Sequence, residues 1–179
     1  MIILVLGSNG SGKSVFAEKL AVKLSGTERS HPLFYIATMV PYGEEGLARV
    51  EKHKKQRESM GFNTVEKPSR VSVAQFPPDT VTVLEDVSNL LSNELFAGER
   101  NDDEDSVFRD IMAMCGKCRA SVLVSISGLS VNREYDDETN TYINALNLLN
   151  ERLCDLADTV VEMRCGAPVF LKGEIDALD

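Results

Sequence analysis

Two stretches of the sequence set reactive side chains at spacings that mean something chemically. The first is "GSNGSGKS", residues 7–14, which fits G-x-x-x-x-G-K-[ST] in full through Gly7, Gly12, Lys13 and Ser14. Glycine lets a backbone wrap closely around an anion, so the N–H groups along Asn9, Gly10, Ser11, Gly12, Lys13 and Ser14 can point at phosphate oxygens. Lys13 is then placed to bridge the β- and γ-phosphates, and Ser14 to ligate Mg²⁺. A flexible glycine turn is the plain alternative. It does not explain why the motif follows an apolar strand and opens a helical pattern, where the helix dipole would also favour an anion. The predicted ligand is a nucleoside triphosphate.

The second stretch is "ARVEKHKKQR", residues 48–57, which holds one of two histidines among five cations in a chain of net charge −9. If residues 44–59 form a helix, positions four apart share a face, and Arg49, His53 and Arg57 make one stripe. Gln56 lies beside it, and Lys52, Lys54 and Lys55 flank it. Pattern alone favours a solvated basic face, partly relieved by Glu45 and Glu51. Chemistry offers a sharper reading. A neutral imidazole is a nucleophile toward phosphorus, and neighbouring guanidinium groups stabilise charge on the attacked phosphate. Nearby cations also favour the neutral imidazole. His31, beside Pro32 in a loop, lacks such neighbours and is read as structural.

A phosphate loop needs an acid on the metal side, at the end of another strand. "TVLED" supplies Glu85 and Asp86; strand-end solvation, or a helix cap from Asp86, is the competing explanation. Of the four cysteines, Cys115 and Cys118 have the spacing of half a zinc site. Cys154 and Cys165 stand eleven apart and do not complete it, so no metal is assigned to them.

The elements that must position these residues alternate. Strands are predicted at 2–6, 33–38, 80–86, 120–127, 159–164 and 168–172. Helices are predicted at 13–24 (with Phe16, Leu20 and Leu24 on one side), 44–59, 87–96, 106–119 and 141–158. Residues 98–105 and 128–140 read as loops. Buried, non-alternating strands between helices predict an α/β fold with a mostly parallel sheet covered on both faces. At 179 residues this is the size of one domain, 1–179. The acidic balance argues against a nucleic-acid partner. "MIILVLG" is too short for a signal segment, and no apolar run approaches the ~20 residues of a membrane helix. A cytoplasmic protein is expected.

The pieces together resemble the bifunctional adenosylcobinamide kinase/adenosylcobinamide-phosphate guanylyltransferases of cobalamin biosynthesis. The likeness runs through the phosphate loop, "YIAT" (35–38), "EEGLARVEKHKKQR", "FNTVE" (62–66), "VLEDVSNLLSN" (83–93) and "NERLCDLADTVVEMRCGAPVFLKG". The R-x-x-x-H-x-x-x-R element is its most specific part. The resemblance implies a RecA-like P-loop NTPase fold in three layers, assembled as a homotrimer. It implies phosphorylation of adenosylcobinamide with ATP or GTP, then attack of His53 on the α-phosphate of GTP to give a GMP-histidine, which hands GMP to the corrinoid phosphate. It places nucleotide contacts on Gly7, Ser8 and onward to Ser14, on Ala37, Thr38 and Met39, on Lys54, Lys55, Gln56 and Arg57, and on Glu66 and Glu85. It favours Glu85, with Ser14, as the Mg²⁺ residue. The chain departs from the family pattern at Gly10, at "SISGLSVNREYDD" and at "NTYINALNLLN"; Arg133, Asp136 and Asp137 are candidates in that loop by position alone. A kinase-only P-loop protein, or a nucleotide binder without turnover, are the alternatives.

Overall fold

A computed structural model describes residues 1–26, 30–41, 43, 50, 51, 54, 55, 57–96 and 105–175. Seven strands form one sheet: β1 (Ile2–Gly7), β2 (Leu33–Ala37), β3 (Asn63–Glu66), β4 (Val81–Glu85), β5 (Ala120–Ile126), β6 (Thr159–Arg164) and β7 (Ala167–Lys172). Four helices are fully described: α1 (Lys13–Leu24), α2 (Val87–Phe96), α3 (Ser106–Cys115) and α4 (Asp137–Leu156). The strand order is β3-β2-β4-β5-β1-β6-β7. All neighbours run parallel except β7, which returns antiparallel beside β6.

The central strands are apolar on both sides because both faces are covered. Leu4, Leu6, Ile36, Leu84 and Leu123 pack under α2, α3 and α4 in one buried cluster. Ile3, Val5, Val83, Val122 and Val161 point the other way, to Ala17, Leu20 and Ala21 of α1. Burying each large side chain of this kind is worth about 1.5–3 kcal/mol, so the two cores together hold the strand order against slippage.

The predicted α/β, mostly parallel, two-face-covered sheet is the architecture observed, with differences in detail. On α1 the innermost residues are Ala17, Leu20 and Ala21, with Phe16 and Leu24 half-buried at the flanks. Small alanines let the helix lie close to the sheet. α3 stops at Cys115 instead of running to 119, because the chain turns through Lys117 and Cys118 N–H bonds to Met114 and Cys115 before β5 begins. α4 begins at Asp137, inside the segment predicted as loop. Asp136 caps it, its carboxylate accepting from Thr139 N–H at 2.7 Å. β3 was predicted only as part of a motif, not as a strand. Residues 50, 51, 54, 55 and 57–59 are helical, within the predicted 44–59 span, and Gly43, one residue before it, is helical as well. Arg49, Lys52, His53 and Gln56, and all of the predicted 98–105 loop but Asp105, lie outside the described residues. Among the described residues, no helix is long and apolar enough to cross a membrane.

Candidate active site

The site is assembled at the carboxyl ends of the parallel strands, where helices start and backbone N–H groups are left unpaired. β1 ends at Gly7, whose position tolerates no side chain: a Cβ there would stand 2.5 Å from Ser11 Oγ and 3.1 Å from the Met163 carbonyl. The loop then closes on itself through Ser11 N–H to the Ser8 carbonyl at 3.2 Å. Gly12, immediately before α1, has φ 90°, a conformation suited to glycine. A Cβ at Gly10 or Gly12 would meet nothing within 4 Å, so the loop faces open space.

Lys13 is buried at 7% exposure, and its Nζ donates to the Ser8 carbonyl at 3.1 Å. The ammonium thus lies across the loop. Ser14, the second residue of α1, donates through Oγ to Glu85 Oε1 at 2.6 Å. Glu85 ends β4, and β5 separates that strand from β1. Its other oxygen, Oε2, is buried without a hydrogen-bond partner. Burial pushes the Glu85 carboxyl up to about 7. The Ser14 hydrogen bond and the Lys13 charge oppose that rise, while Asp86 and Glu18 add to it.

Asp86 is turned elsewhere. Its Oδ1 accepts from Ser88 Oγ at 2.5 Å and from Asn89 N–H at 2.6 Å, capping α2. Of the two strand-end acids, only Glu85 is hydrogen-bonded to the phosphate-loop helix among the described contacts. The bend between them is held by Thr38, which is fully buried. Its N–H donates to the Glu85 carbonyl at 3.0 Å, and its hydroxyl accepts from Asp86 N–H at 2.8 Å. That hydroxyl also lies 3.0 and 2.9 Å from the Glu85 and Asp86 carbonyls. Asn93 Nδ2 donates to the Thr38 carbonyl at 2.8 Å. Thr38, expected as a nucleotide contact, thus also shapes the end of β4, a supporting role that sequence reasoning did not assign.

Strand register brings other predicted residues into line. Ala37 of β2 is paired with Glu85 on one side and with Glu66 of β3 on the other. Glu66 is exposed, and Met39, just past β2, is 41% exposed. Lys55 is exposed, Lys54 is half-buried, and Arg57 is buried at 6%. Arg57 does not present its guanidinium to solvent as a charge stripe would; it stacks on the ring of Tyr35. Asp136 serves α4 as a cap, and Arg133 and Asp137 are exposed. Glu18, buried on α1, and the stacking role of Tyr35 escaped the sequence reading; an acid on the inward side of α1 was the available signal.

Comparison with known proteins adds three findings. A family model described as "Cobinamide kinase / cobinamide phosphate guanyltransferase" matches residues 3–171. No curated protein sequence matches the chain. Among solved structures, the crystal structure of flagellar accessory protein FlaH from Methanocaldococcus jannaschii is similar over 97% of this chain and 78% of that one, with a TM-score of 0.52 and 15% identity. At that identity the likeness is one of fold. The fold is three-layered and RecA-like, with β5 inserted between the loop strand and the acid-bearing strand.

Proposed function

Because the chain belongs to the cobinamide kinase / cobinamide phosphate guanyltransferase family, we propose that both transfers run through one triphosphate cradle built from residues 7–14 and Glu85, with His53 as the guanylyl acceptor. The chain is an enzyme that phosphorylates adenosylcobinamide and guanylylates its phosphate in cobalamin biosynthesis. What is proposed is the assignment of residues. One observation carries the cradle, while His53 is assigned from its motif: Ser14 Oγ and Glu85 Oε1 meet at 2.6 Å at the foot of an open glycine loop, leaving Glu85 Oε2 buried and unpartnered.

An orphaned buried carboxylate oxygen is costly unless a ligand or cation completes it. An oxygen set of one hydroxyl and one carboxylate suits Mg²⁺ held jointly with phosphate oxygens. Ser14 and Glu85, the latter directly or through water, would hold it. Bound there, it would neutralise charge on the triphosphate. Loop N–H groups and Lys13 orient the phosphates, Lys13 exchanging the Ser8 carbonyl for phosphate oxygens. Ala37, Met39, Lys54, Lys55, Gln56 and Glu66 are assigned to the nucleoside and phosphates, with Arg49 supporting. Thr38 acts by fixing Glu85.

In the kinase step, a corrinoid hydroxyl oxygen bonds to the γ-phosphorus of ATP or GTP. The bond from that phosphorus to the β–γ bridging oxygen breaks, the nucleoside diphosphate leaves, and the hydroxyl proton passes to solvent. In the guanylyl step, a nitrogen of neutral His53 bonds to the α-phosphorus of GTP, and pyrophosphate leaves. A phosphate oxygen of the corrinoid phosphate then attacks the same phosphorus and the N–P bond breaks, which regenerates the imidazole. We further infer that residues 1–179 act as one cytoplasmic domain in a homotrimer, an assembly that sedimentation of the 19.7 kDa chain would read directly.

The test is product identification by mass after incubating the protein with GTP, Mg²⁺ and adenosylcobinamide. The expected products are the corrinoid phosphate and then the GDP-corrinoid, with Glu85→Ala reducing both by about 100-fold or more. Formation of the phosphate alone would favour the kinase-only reading, and unchanged turnover in Glu85→Ala would contradict the residue assignment.

A further inference from the structure

The carboxyl ends of β2, β3 and β4 are tied together by a short series of hydrogen bonds, and one side chain completes it. Thr38 N–H donates to the Glu85 carbonyl at 3.0 Å, which joins the end of β2 to the end of β4. Lys67 N–H donates to the Ala37 carbonyl at 2.8 Å, which joins the end of β3 to that of β2. Asn93, half-buried on α2, then bridges the two turns that follow. Its Nδ2 donates to the Thr38 carbonyl at 2.8 Å and to the Pro68 carbonyl at 2.9 Å. Both amide protons are thereby used, one on each turn.

The plain explanation is that Asn93 stabilises a loop. The two turns are not held equally, however. Thr38 stays fixed to β4 without Asn93, through its own N–H and through its hydroxyl, which accepts from Asp86 N–H at 2.8 Å. Farther along, the chain is anchored to α2 and α3. Arg70 N–H donates to Glu94 Oε1 at 3.3 Å, and the N–H groups of Val71 and Ser72 donate to the Asp110 carboxylate at 2.6 and 3.0 Å. Between these anchors, the described bonds on the turn at Glu66, Lys67 and Pro68 are the Lys67 bond and the one from Asn93. Asn93 therefore sets how that turn stands against the corner at Thr38 and Met39. Met39 is 41% exposed and Glu66 is exposed, so both side chains face solvent at the strand ends.

We propose that Asn93 is a positioning residue for the nucleotide, holding Met39 and Glu66 at the separation at which both reach one nucleoside. The inference rests on the assignment of Met39 and Glu66 to the nucleotide. The nucleoside is remote from the phosphorus that reacts, so contacts to it bind ground state and transition state alike. Loosening them raises KM and spares kcat.

Asn93→Asp keeps the shape and turns a double donor into an acceptor facing two carbonyl oxygens. KM for GTP should rise about 5- to 20-fold in both transfers, with kcat within about threefold of the unsubstituted protein. Glu66→Gln should raise KM as well. Combined with Asn93→Asp it should give less than the product of the two separate effects, because Asn93 acts through the turn that carries Glu66. Asn93→Ala removes both donors without adding charge, should raise KM in the same way, and decides the matter if Asn93→Asp fails to fold. Unchanged KM in the Asn93 variants, a fall in kcat at constant KM, or independent effects of Asn93→Asp and Glu66→Gln would overturn the inference. If Glu66→Gln and Met39→Ala both leave KM unchanged, the nucleoside assignment falls and this inference with it. A rise in those two variants alone would strike only the role of Asn93.

Discussion

At the scale of single residues, Glu85 is the group whose surroundings say most. An ordinary glutamate titrates near 4.5, and burial pushes this one up to about 7. Between those values the folded protein holds a proton that the unfolded chain releases. The stability this contributes is therefore fully present below pH 4.5 and is lost as pH rises through about 7. For the protein free of nucleotide and metal, the unfolding free energy should fall across that window, by roughly 3 kcal/mol from this group. Glu85→Gln should lack that component, so the difference between the two proteins isolates it. Denaturant titrations at a series of pH values measure the effect; parallel profiles would mean that Glu85 is not buried as described. Glu85 and the phosphate loop were legible in the sequence because each is a local pattern, a complete motif and an acid at a strand end. The inward turn of Arg57 was not legible. A run of cations predicts a solvent face, and its partner Tyr35 lies on another element, brought near only by the fold.

At the scale of elements, the end of β4 is shaped by the one side chain of Thr38. Thr38→Val keeps the volume but leaves the Asp86 N–H without its acceptor in a buried setting. The expected cost is about 1–3 kcal/mol of stability. Turnover should fall in both transfers together, since Glu85 would lose its fixed direction; chemical denaturation and the two transfer assays check it. A variant as stable and active as the unsubstituted protein would contradict the role given to Thr38. The element boundaries show the same division between local and distant causes. α2 was predicted to the residue because Asp86 precedes a compact apolar repeat. α4 was predicted to start too late, because its cap, Asp136, sits in an acidic stretch that reads equally well as loop. β3 has only four residues, exposed or half-buried, and no apolar run to mark it; what makes it a strand is pairing with β2.

At the scale of the whole molecule, the strand order places the nucleotide machinery. β1 and β4 flank β5, so Ser14 at the head of α1 can meet Glu85 across the sheet edge. β2 and β3 then set Ala37 and Glu66 on the same register line as Glu85. The parallel, two-face-covered sheet was legible from alternating apolar strands and helices, and the matched family accounts for the two transfers. The most direct measurement of the central claim is to incubate the protein with α-labelled GTP and Mg²⁺, quench it, and locate any covalent label by peptide mass. A GMP adduct is expected on His53, labile to acid, stable to base, and absent from His53→Ala. A protein that turns over nucleotide but carries no adduct, or carries it on another residue, would contradict it.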